Sequence, residues 1–505
     1  MHAKFLTNNI SENIELIKAA FPVNYSFVIR NIILKGNIKC ALLYMSNISN
    51  KETIEARIID PLLFQFDNEI NLDGCVVDFI AQRYISISDT SISNDINMIL
   101  SRIQSGDTVV FINNENKAII CSTSKSNLKN VSEIKIEETL RGEKSAFVDV
   151  LNSNIGLIQE KLKNKQLKVD KYTLGENNNA ETALVYIENL IDENILKQLK
   201  KKLSDIKCPY IPDTGYLAKY IDESKFSIFP QSKTSEKPDK VISDLLQGKA
   251  AIFVNGCAYA VILPVVFIEF FQAFEDYSNR IILANFDRFL RLLSVIVVVS
   301  LAPIYLVLLK YNVELLPLNF IKVIIVSRKD IPLPPFMEIM LMEIIIEFLR
   351  EGGLRLPSIV GQTLSIVGGI ILGQAAIQAS VVSPATLIVV TVGAIATFVI
   401  PNYEMSISIR LIRFFLLVIA EMLGFYGVII GLFFIIAHLV NLESLGVPYF
   451  APFTPMYVKD LRDSIVRMPI NEIQSTTETF TNSANSSNGD KSSKSDEGSK
   501  SDEQK

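Results

Sequence analysis

One amphipathic stretch, residues 332–351, carries acidic side chains at four-residue spacing: Glu343, Glu347 and Glu351. This spacing places all three carboxylates on one face of a helix. Repeated around a ring of subunits, such a stripe would attract cations. The alternative is a solvated helix face on which Arg350 and Arg355 pair with the glutamates. The pattern by itself leaves both interpretations open.

The next stretch has no charged residue between positions 356 and 403. Its first part combines small residues with amides: Gln362, Gly368, Gly369, Gly373, Gln374 and Gln378. Small residues let helices approach closely in lipid, whereas amides at membrane depth need partners or water. These residues are therefore candidates for a pore-lining or gating helix. A tightly packed central helix is the alternative.

No catalytic, metal or cofactor chemistry is predicted from the sequence. It contains no G-x-S-x-G, no P-loop and no G-x-G-x-x-G. The two histidines, His2 and His438, and five scattered cysteines without a C-x-x-C pair do not suit a metal site. The cysteines are interpreted as free structural thiols in a reducing compartment. A net charge of −5 gives no overall attraction to nucleic acid. The chain is predicted not to be an enzyme.

The N-terminal half contains an internal repeat that must position any site there. Residues 42–48 resemble 184–190, and residues 106–113 resemble 248–255, with one offset of 142 (184 − 42 and 248 − 106). Each copy reads as a strand, an amphipathic helix, a second helix and a glycine-led strand. The sequence predicts two tandem α/β subdomains, residues 1–138 and 139–257. The alternative is that these runs are ordinary strand edges.

The C-terminal half is predicted to be an all-α membrane domain, residues 258–468. Four segments are long and apolar enough to span a bilayer: 292–309, 359–381, 385–401 and 414–437. Residues 258–271 are predicted to form an interfacial or re-entrant helix, and residues 315–326 an interfacial or half-buried one. Up to six crossings would result if both spanned. Residues 469–505 are rich in Ser, Lys and Glu and are predicted to be disordered.

The distribution of positive charge bears on the orientation of these spans. The start of the chain lacks a signal-peptide core, so the N-terminal half is expected to be cytoplasmic. Basic residues before the first span and after the last agree with a cytoplasmic position. Arg328, Lys329, Arg350 and Arg355 do not agree, because four simple spans place them outside. This misfit indicates re-entrant segments around residues 310–355.

Several motifs in collinear order resemble the A-subunit family of spore germinant receptors, over residues 20–460. They are Phe229-Pro230-Gln231, Glu236-Lys237-Pro238-Asp239, Val254-Asn255-Gly256, residues 271–277 ending in Glu275-Asp276-Tyr277, Arg288-Phe-Leu-Arg291, residues 343–357, residues 366–376, and residues 445–452. This sequence has Lys237 where the family has arginine, and Asn255-Gly256 where the family has Asp-Gly. In the first copy the glycine is absent, since Asn113 is followed by Asn114.

The resemblance implies a partnership and a location. Members of this family act with a transporter-like B subunit and a lipoprotein C subunit in the spore inner membrane, where they convert nutrient binding into germination. It implies that the N-terminal region faces the spore core and that A subunits form a homo-oligomeric, cation-conducting channel. The motifs also nominate coupling or interface residues: Glu236, Lys237, Pro238, Asp239, Glu275, Asp276 and Tyr277.

Two other functions compete with this hypothesis. One is a secondary transporter or permease, although the membrane half shows no inverted repeat and few clear spans. The other is a membrane scaffold without a pore, whose two lobes bind a small ligand.

Overall fold

The computed structural model describes residues 5–21, 26–66, 76–124, 132–133, 145–273, 275–355, 369, 373–457, 460–469 and 480. The chain forms two compact units. The first comprises Met1–Asp222, Ser232–Pro264 and Ser475–Lys505, and the second comprises Glu223–Gln231 and Val265–Gln474. We call them the α/β unit and the helical unit. The tail predicted to be disordered lies outside the described residues, apart from positions 469 and 480.

The first lobe of the α/β unit is built on a five-stranded sheet in the order β1-β2-β4-β5-β3. Its strands are β1 (Phe27–Ile33), β2 (Lys39–Met45), β3 (Thr90–Ser93), β4 (Thr108–Ile112) and β5 (Ala118–Cys121). Its helices are α1 (Ile10–Ala20), α2 (Lys51–Ile54), which continues as π-helical turns at Glu55–Ile59 and Pro61–Gln65, α3 (Val76–Arg83) and α4 (Ile96–Gln104). Apolar side chains on both faces of the sheet are buried under these helices, so β4 and β5 are apolar without alternation.

The second lobe follows a pair of short strands of two residues each, β6 (Ser132–Glu133) and β7 (Ser145–Ala146). Its sheet has the order β10-β12-β11-β9-β8. The strands are β8 (Leu167–Leu174), β9 (Ala180–Ile187), β10 (Lys233–Ser235), β11 (Ala250–Val254) and β12 (Ala260–Leu263). The helices are α5 (Leu151–Lys161), α6 (Glu193–Asp205), α7 (Thr214–Ile221) and α8 (Pro238–Leu246).

The central strands of the two sheets pair in the same register. Ala41 pairs with Phe111 in the first sheet, and Ala183 pairs with Phe253 in the second. Both partners shift by the offset found in the sequence repeat (183 − 41 and 253 − 111). Gly106 and Gly248 both adopt positive φ, and a Cβ at either would lie 2.7 or 2.6 Å from a backbone carbonyl oxygen. Only glycine fits such a position without strain, which is why a glycine leads this strand in both copies.

The segment 258–271, predicted to be an interfacial or re-entrant helix, has a different structure. It contains β12, which pairs with β10 and β11 inside the second sheet, followed by a 3₁₀ turn at Phe267–Phe271. The second lobe therefore continues past the predicted boundary at 257. A short apolar run cannot by itself distinguish a buried strand from a buried helical segment. Residues 260–263 form a strand because β10 and β11 supply hydrogen-bond partners on both sides.

The helical unit contains two long helices and several shorter ones. They are α9 (Glu275–Ser278), α10 (Ile281–Lys310), α11 (Leu318–Arg328), α12 (Pro335–Arg355), α13 (Pro384–Phe398), α14 (Tyr403–Asn441) and α15 (Leu461–Ser464). A small hairpin of β13 (Glu443–Ser444) and β14 (Val447–Pro448) follows α14. Gly424 interrupts α14 with φ 61° and ψ −141°, so this helix is kinked. A Cβ at that position would lie 3.3 Å from the Tyr311 ring.

Among the described residues, two helices of this unit are long and apolar enough to cross a membrane by length and composition: α10 with 30 residues and α14 with 39. They contain the predicted spans 292–309 and 414–437. The predicted span 385–401 corresponds largely to α13, which has only 15 residues. Most of the predicted span 359–381 lies outside the described residues. The prediction of four spans is therefore not confirmed.

Candidate functional site

The first polar cluster of the helical unit is organised by Asp276, a fully buried carboxylate in α9. Arg291 Nη1 lies 2.8 Å from both carboxylate oxygens, and Arg288 Nε lies 3.1 Å from Oδ2. The two arginines are three positions apart on α10, so both reach the same side of that helix. The Asp276 carboxylate also accepts a hydrogen bond from the Ala273 backbone N–H.

The same cluster includes the segment after the β13–β14 hairpin. Arg288 Nη1 lies 2.5 Å from the Asp463 carbonyl oxygen and 3.1 Å from its Oδ1. Tyr277 donates its hydroxyl hydrogen to Asp463 Oδ2 over 2.8 Å. Arg467 donates to the backbone carbonyls of Asp276 and Asn279, at 2.5 and 2.8 Å. We call this set, Asp276, Tyr277, Arg288, Arg291, Asp463 and Arg467, the Asp276 cluster.

The Asp276 cluster brings together residues that are far apart in the chain. Burial, followed by the Asp463 carboxylate, raises the pKa of the Tyr277 hydroxyl well above its ordinary value, so the hydroxyl keeps its proton and acts as a donor. The Arg288 and Arg467 guanidinium groups lie 5.7 and 5.5 Å from the Tyr277 ring centroid, within range of a cation–π interaction. The arrangement binds the beginning of α10 to residues 463–467.

A second ionic cluster connects α12 to α14. Glu343 Oε2 lies 2.5 Å from Arg413 Nη2, and Glu347 Oε2 lies 2.7 Å from Arg410 Nη1. The Glu343 and Arg413 side chains are 0% and 1% exposed, so this pair is removed from solvent. Arg350 Nη2 donates to Thr397 Oγ1 of α13 over 2.6 Å. We call Glu343, Glu347, Arg350, Arg410 and Arg413 the Glu343 cluster.

Helix α13 contributes space as well as a hydrogen bond to the Glu343 cluster. A Cβ at Gly393 would lie 3.2 Å from Arg413 Nη1, so the glycine allows the guanidinium to approach α13. The Arg350 guanidinium carbon lies 4.8 Å from the Phe398 ring centroid. The cluster combines two carboxylates with three guanidinium groups. Within one chain, Glu343 and Glu347 are therefore neutralised by arginines of α14, which the sequence interpretation did not include.

The third member of the predicted acidic stripe behaves differently. Glu351 is exposed and pairs with Arg355 one turn later, at 2.6 Å. This is the solvated pairing that the alternative interpretation describes. The cation-attracting role of Glu343, Glu347 and Glu351 remains a prediction.

The predicted pore or gating residues are only partly described. Gln362 and Gly368 lie outside the described residues. Gly369 is exposed, and a Cβ there would meet no atom of the described residues within 4 Å. Residues 373–378 are helical; Gly373 is buried against Leu387 of α13, whereas Gln374 and Gln378 are exposed in the single chain. Their role in a pore remains a prediction.

The two predicted sets of coupling residues lie in different compact units. In the α/β unit, Glu236 and Lys237 are buried just before α8, and Pro238 occupies the first turn of that helix, where its missing N–H costs nothing. Asp239 Oδ1 pairs with Lys161 Nζ over 2.8 Å. In the helical unit, Asp276 and Tyr277 belong to the Asp276 cluster, and Glu275 begins α9.

Sequence reasoning missed further buried carboxylates, among them Glu338 and Asp244. Glu338 of α12 is fully buried, pairs with Arg328 and accepts a hydrogen bond from the Ser383 N–H over 2.6 Å. In the α/β unit, Asp244 lies 2.7 Å from Lys249 Nζ and 3.2 Å from Lys233 Nζ. The repeat offers a signal for the second case. Positions 244 and 249 correspond to Arg102 and Asp107, which also form an ion pair, at 3.3 Å, with the charges exchanged.

The Asp244 ion pairs predict a pH dependence of the α/β unit. Burial alone would raise the pKa of the Asp244 carboxyl, but Lys233 and Lys249 outweigh burial and lower that pKa to about 2. A carboxyl with a lowered pKa contributes stability above its unfolded-state pKa of about 4 and loses it as the pH falls towards the folded value. We expect the unfolding free energy of the full chain in detergent, measured with urea, to decrease between about pH 4 and pH 2.

Two variants test the source of this pH dependence. Asp244→Asn should be less stable than the parent at pH 6 and should show a smaller decrease on acidification. Asp192→Asn is the matched control, because asparagine caps α6 as well as aspartate does. An unchanged acid profile in Asp244→Asn would contradict the assignment.

The described residues show no sign of metal chemistry. Among them, no three His, Cys, Asp or Glu side chains form a group that could hold a metal ion. Four of the five cysteines lie in this part of the chain, and all four are free and buried: Cys40, Cys121, Cys208 and Cys257. Burial raises the pKa of the Cys40 thiol to about 12, so it is unreactive at neutral pH.

The architecture is a duplicated α/β unit followed by a helical unit with long apolar helices. Comparisons with known proteins find relatives that align with both units. The "Spore germination protein A1" of Bacillus subtilis (strain 168) is 34% identical over 480 residues, which cover 94% of this chain and 98% of that protein. The "Spore germination protein KA" of the same organism is 33% identical over 466 residues, covering 92% and 85%. The "Spore germination protein GerQA" of Bacillus cereus is 37% identical over 388 residues, covering 77% and 78%.

The chain belongs to the Bacillus/Clostridium GerA spore germination protein family, whose sequence profile matches residues 15–479. Among solved structures, the N-terminal domain of the A subunit of the Bacillus megaterium spore germinant receptor GerK3 aligns with 53% of this chain and 99% of its own length. The sequence identity of that alignment is 24% and the TM-score is 0.42.

Proposed function

We propose that this chain is the A subunit of a spore germinant receptor and couples nutrient sensing to germination. The observation that carries the proposal is the family match over residues 15–479, which includes both compact units. Relatives with spore germination names align over most of their own length. We infer that its partners are a transporter-like B subunit and a lipoprotein C subunit, and that the complex lies in the spore inner membrane.

The helical unit supports a membrane location. Only 39% of the most apolar window of α10 and 28% of that of α14 are buried within the chain. Apolar surface of this extent is unfavourable in water and favourable in lipid. We propose four crossings, at 292–309, 359–381, 385–401 and 414–437, with the α/β unit on the cytoplasmic, spore-core side. Accessibility of single cysteines to a membrane-impermeant maleimide, placed before α10 and after α14, tests this topology.

The channel is the finer part of the proposal. A ring of subunits that brings residues 354–382 together would line a path with glycines and amides, and Glu351 would face its entrance. Two measurements test the proposal. Spores that lack the chain should lose germination with nutrients that the intact strain answers, and the purified complex in liposomes should pass a cation current when the nutrient is added. Normal germination without the chain would refute the receptor role, and absence of current would refute the channel.

A glycine substitution tests the predicted gating helix. A side chain at Gly373 would meet Leu387, since even a Cβ would lie 3.4 Å from it. We therefore expect Gly373→Leu to reduce nutrient germination at least tenfold while the protein still accumulates in the membrane. Gly352→Leu on α12, where a Cβ would meet no atom within 4 Å, is the matched control. Germination at the parental rate in Gly373→Leu would count against a close-packed functional helix.

A further inference from the structure

Helix α5 connects the two lobes of the α/β unit. One face packs on the second sheet through Leu151, Ile155 and Ile158. The side chain of Gln159 is also buried and donates from Nε2 to Ser26 Oγ of the first lobe over 3.0 Å. Just after the helix, Lys163 Nζ donates to Ser105 Oγ of the first lobe over 3.3 Å. The first lobe therefore provides a docking surface near Ser26 and Ser105 for this helix of the second.

Helix α1 is the counterpart of α5 in the first lobe. Asn13 holds the backbone N–H and carbonyl of Thr7, at 2.9 and 2.6 Å, and Asn154 holds those of Val148 at the same two distances. The spacing of the two asparagines (154 − 13) is within one position of the repeat offset. In α5 the positions after this asparagine, from 155 to 159, are all buried. In α1 the equivalent face is open: Glu15, Leu16 and Lys18 are exposed.

The docking surface also has a counterpart, and that counterpart is open. The Ser26 carbonyl accepts from the Ser46 N–H, and the Gln166 carbonyl accepts from the Glu188 N–H, in the same place of each sheet. Gln166 therefore corresponds to Ser26, and Gln247 corresponds to Ser105. In the second lobe no described residue covers this surface, since Lys165, Gln166 and Leu246 are exposed.

Within one chain, α5 packs on the docking surface near Ser26 and Ser105. The equivalent face of helix α1 and the equivalent Lys165–Gln166–Leu246 surface remain exposed. We propose that α1 of one chain docks on the Lys165–Gln166–Leu246 surface of a second copy, which repeats between chains the contact that α5 makes within a chain. The correspondence places Lys18 opposite Gln166, as Gln159 lies opposite Ser26. We expect the neighbouring Leu16 and Glu15 to approach Leu246 and Lys165, an apolar pair and a pair of opposite charges. This inference names the subunit interface of the oligomer and rests on the proposed function.

The symmetry of this contact determines the kind of assembly. The two surfaces are different, so the interface is heterologous, and each chain offers one of each. Such a contact adds copies head to tail and closes into a ring when the rotation allows it. A two-fold dimer would instead make both contacts reciprocally between the same two chains, and would give dimers without larger species.

Cross-linking of the full chain in membranes tests the interface. We expect Leu16→Cys/Leu246→Cys, treated with a short bismaleimide, to give a ladder of dimers and larger species. Each single variant alone should resemble the untreated parent, whereas coexpressed single variants should form dimers that contain one chain of each kind. The matched control is Phe64→Cys/Leu246→Cys, which keeps one reactive position and moves the other to an exposed residue away from α1.

A charge exchange adds a second measurement. Glu15→Lys in the double-cysteine chain should reduce the cross-linked fraction at least threefold, and adding Lys165→Glu should restore it. Three results would overturn the interface: a ladder no stronger than the parent, equal cross-linking of the Phe64 control, or cross-linking of Leu16→Cys alone.

Failure of this interface and failure of the proposed function give different results. Spores whose nutrient germination depends on the chain, combined with absence of the 16–246 cross-link, would overturn only the interface. Spores that germinate normally without the chain would overturn the receptor role, whatever the cross-linking pattern.

Discussion

Replacing Asp276 by alanine is expected to destabilise the helical unit by about 3–5 kcal/mol, the range for removing one partner of a buried ion pair. The carboxylate is fully buried and holds Arg288 and Arg291 together. Without it, Arg291 loses its carboxylate partner and Arg288 keeps only Asp463, while both guanidinium groups remain buried near each other. The expected results are a lower melting temperature of the purified chain in detergent and less protein in the spore membrane.

The matched control for this variant is Asp287→Ala, on α10 beside Arg288 but outside the Asp276 cluster. It should remain within about 0.5 kcal/mol of the parent, as surface substitutions usually do. A double variant, Asp276→Ala/Arg291→Leu, should lose less than the sum of the single losses, because residues in one network couple. Equal stability of Asp276→Ala and Asp287→Ala would show that the cluster does not stabilise the beginning of α10.

The second large effect is expected from the buried pair between α12 and α14. Arg413→Leu leaves Glu343 as a buried carboxylate without its 2.5 Å partner, and we expect a loss of about 3–5 kcal/mol. Removing both charges in Glu343→Leu/Arg413→Leu should recover most of that loss, since apolar residues of similar size can replace a buried pair. Thermal unfolding in detergent measures both variants against the parent.

Glu351→Ala provides the comparison within the same stripe. Its carboxylate is exposed and paired only with Arg355, so we expect little change in stability. If Glu351 attracts cations at a pore entrance, this variant should reduce the cation current or the germination rate while the melting temperature stays constant. A large loss of stability in Glu351→Ala, or recovery no better than Arg413→Leu in the double variant, would contradict this division of roles.

The two lobes keep one ion pair at equivalent positions but exchange which residue is acidic and which is basic. Arg102 pairs with Asp107 in the first lobe, and Asp244 pairs with Lys249 at the equivalent positions of the second. Each pair connects a helix to the residue that directly follows the leading glycine of the strand. The ion pair forms whichever of the two positions carries the positive charge. The second lobe adds Lys233 from strand β10, so Asp244 has two lysine partners where Asp107 has one arginine.

Much of the α/β unit could be predicted from local sequence. Short apolar runs mark the buried strands, and glycines at 106 and 248 mark turns that require positive φ. The common offset between the two repeated motifs predicts that both lobes share one topology, and each lobe has a five-stranded sheet with equivalent central strands. Family membership is also carried by sequence, because the motifs occur in collinear order.

The ionic sites could not be assigned in the same way. The four-residue spacing of Glu343, Glu347 and Glu351 was recognised, but their partners Arg410 and Arg413 lie on another helix. Asp276 and Asp463 lie at opposite ends of the helical unit's sequence, and nothing in the local pattern connects them. The role of residues 260–263 also depended on strands distant in sequence.

The amino-acid sequence is sufficient to predict the duplicated α/β pattern, the apolar helices that follow it and the family. Those properties depend on periodicity, on composition and on motif order, which are local or one-dimensional. Only the tertiary structure decided which carboxylate meets which guanidinium group, and which copies of the duplicated surfaces remain open. Ion pairing depends on distances of a few ångströms between helices far apart in the chain, and exposure depends on what the whole fold covers.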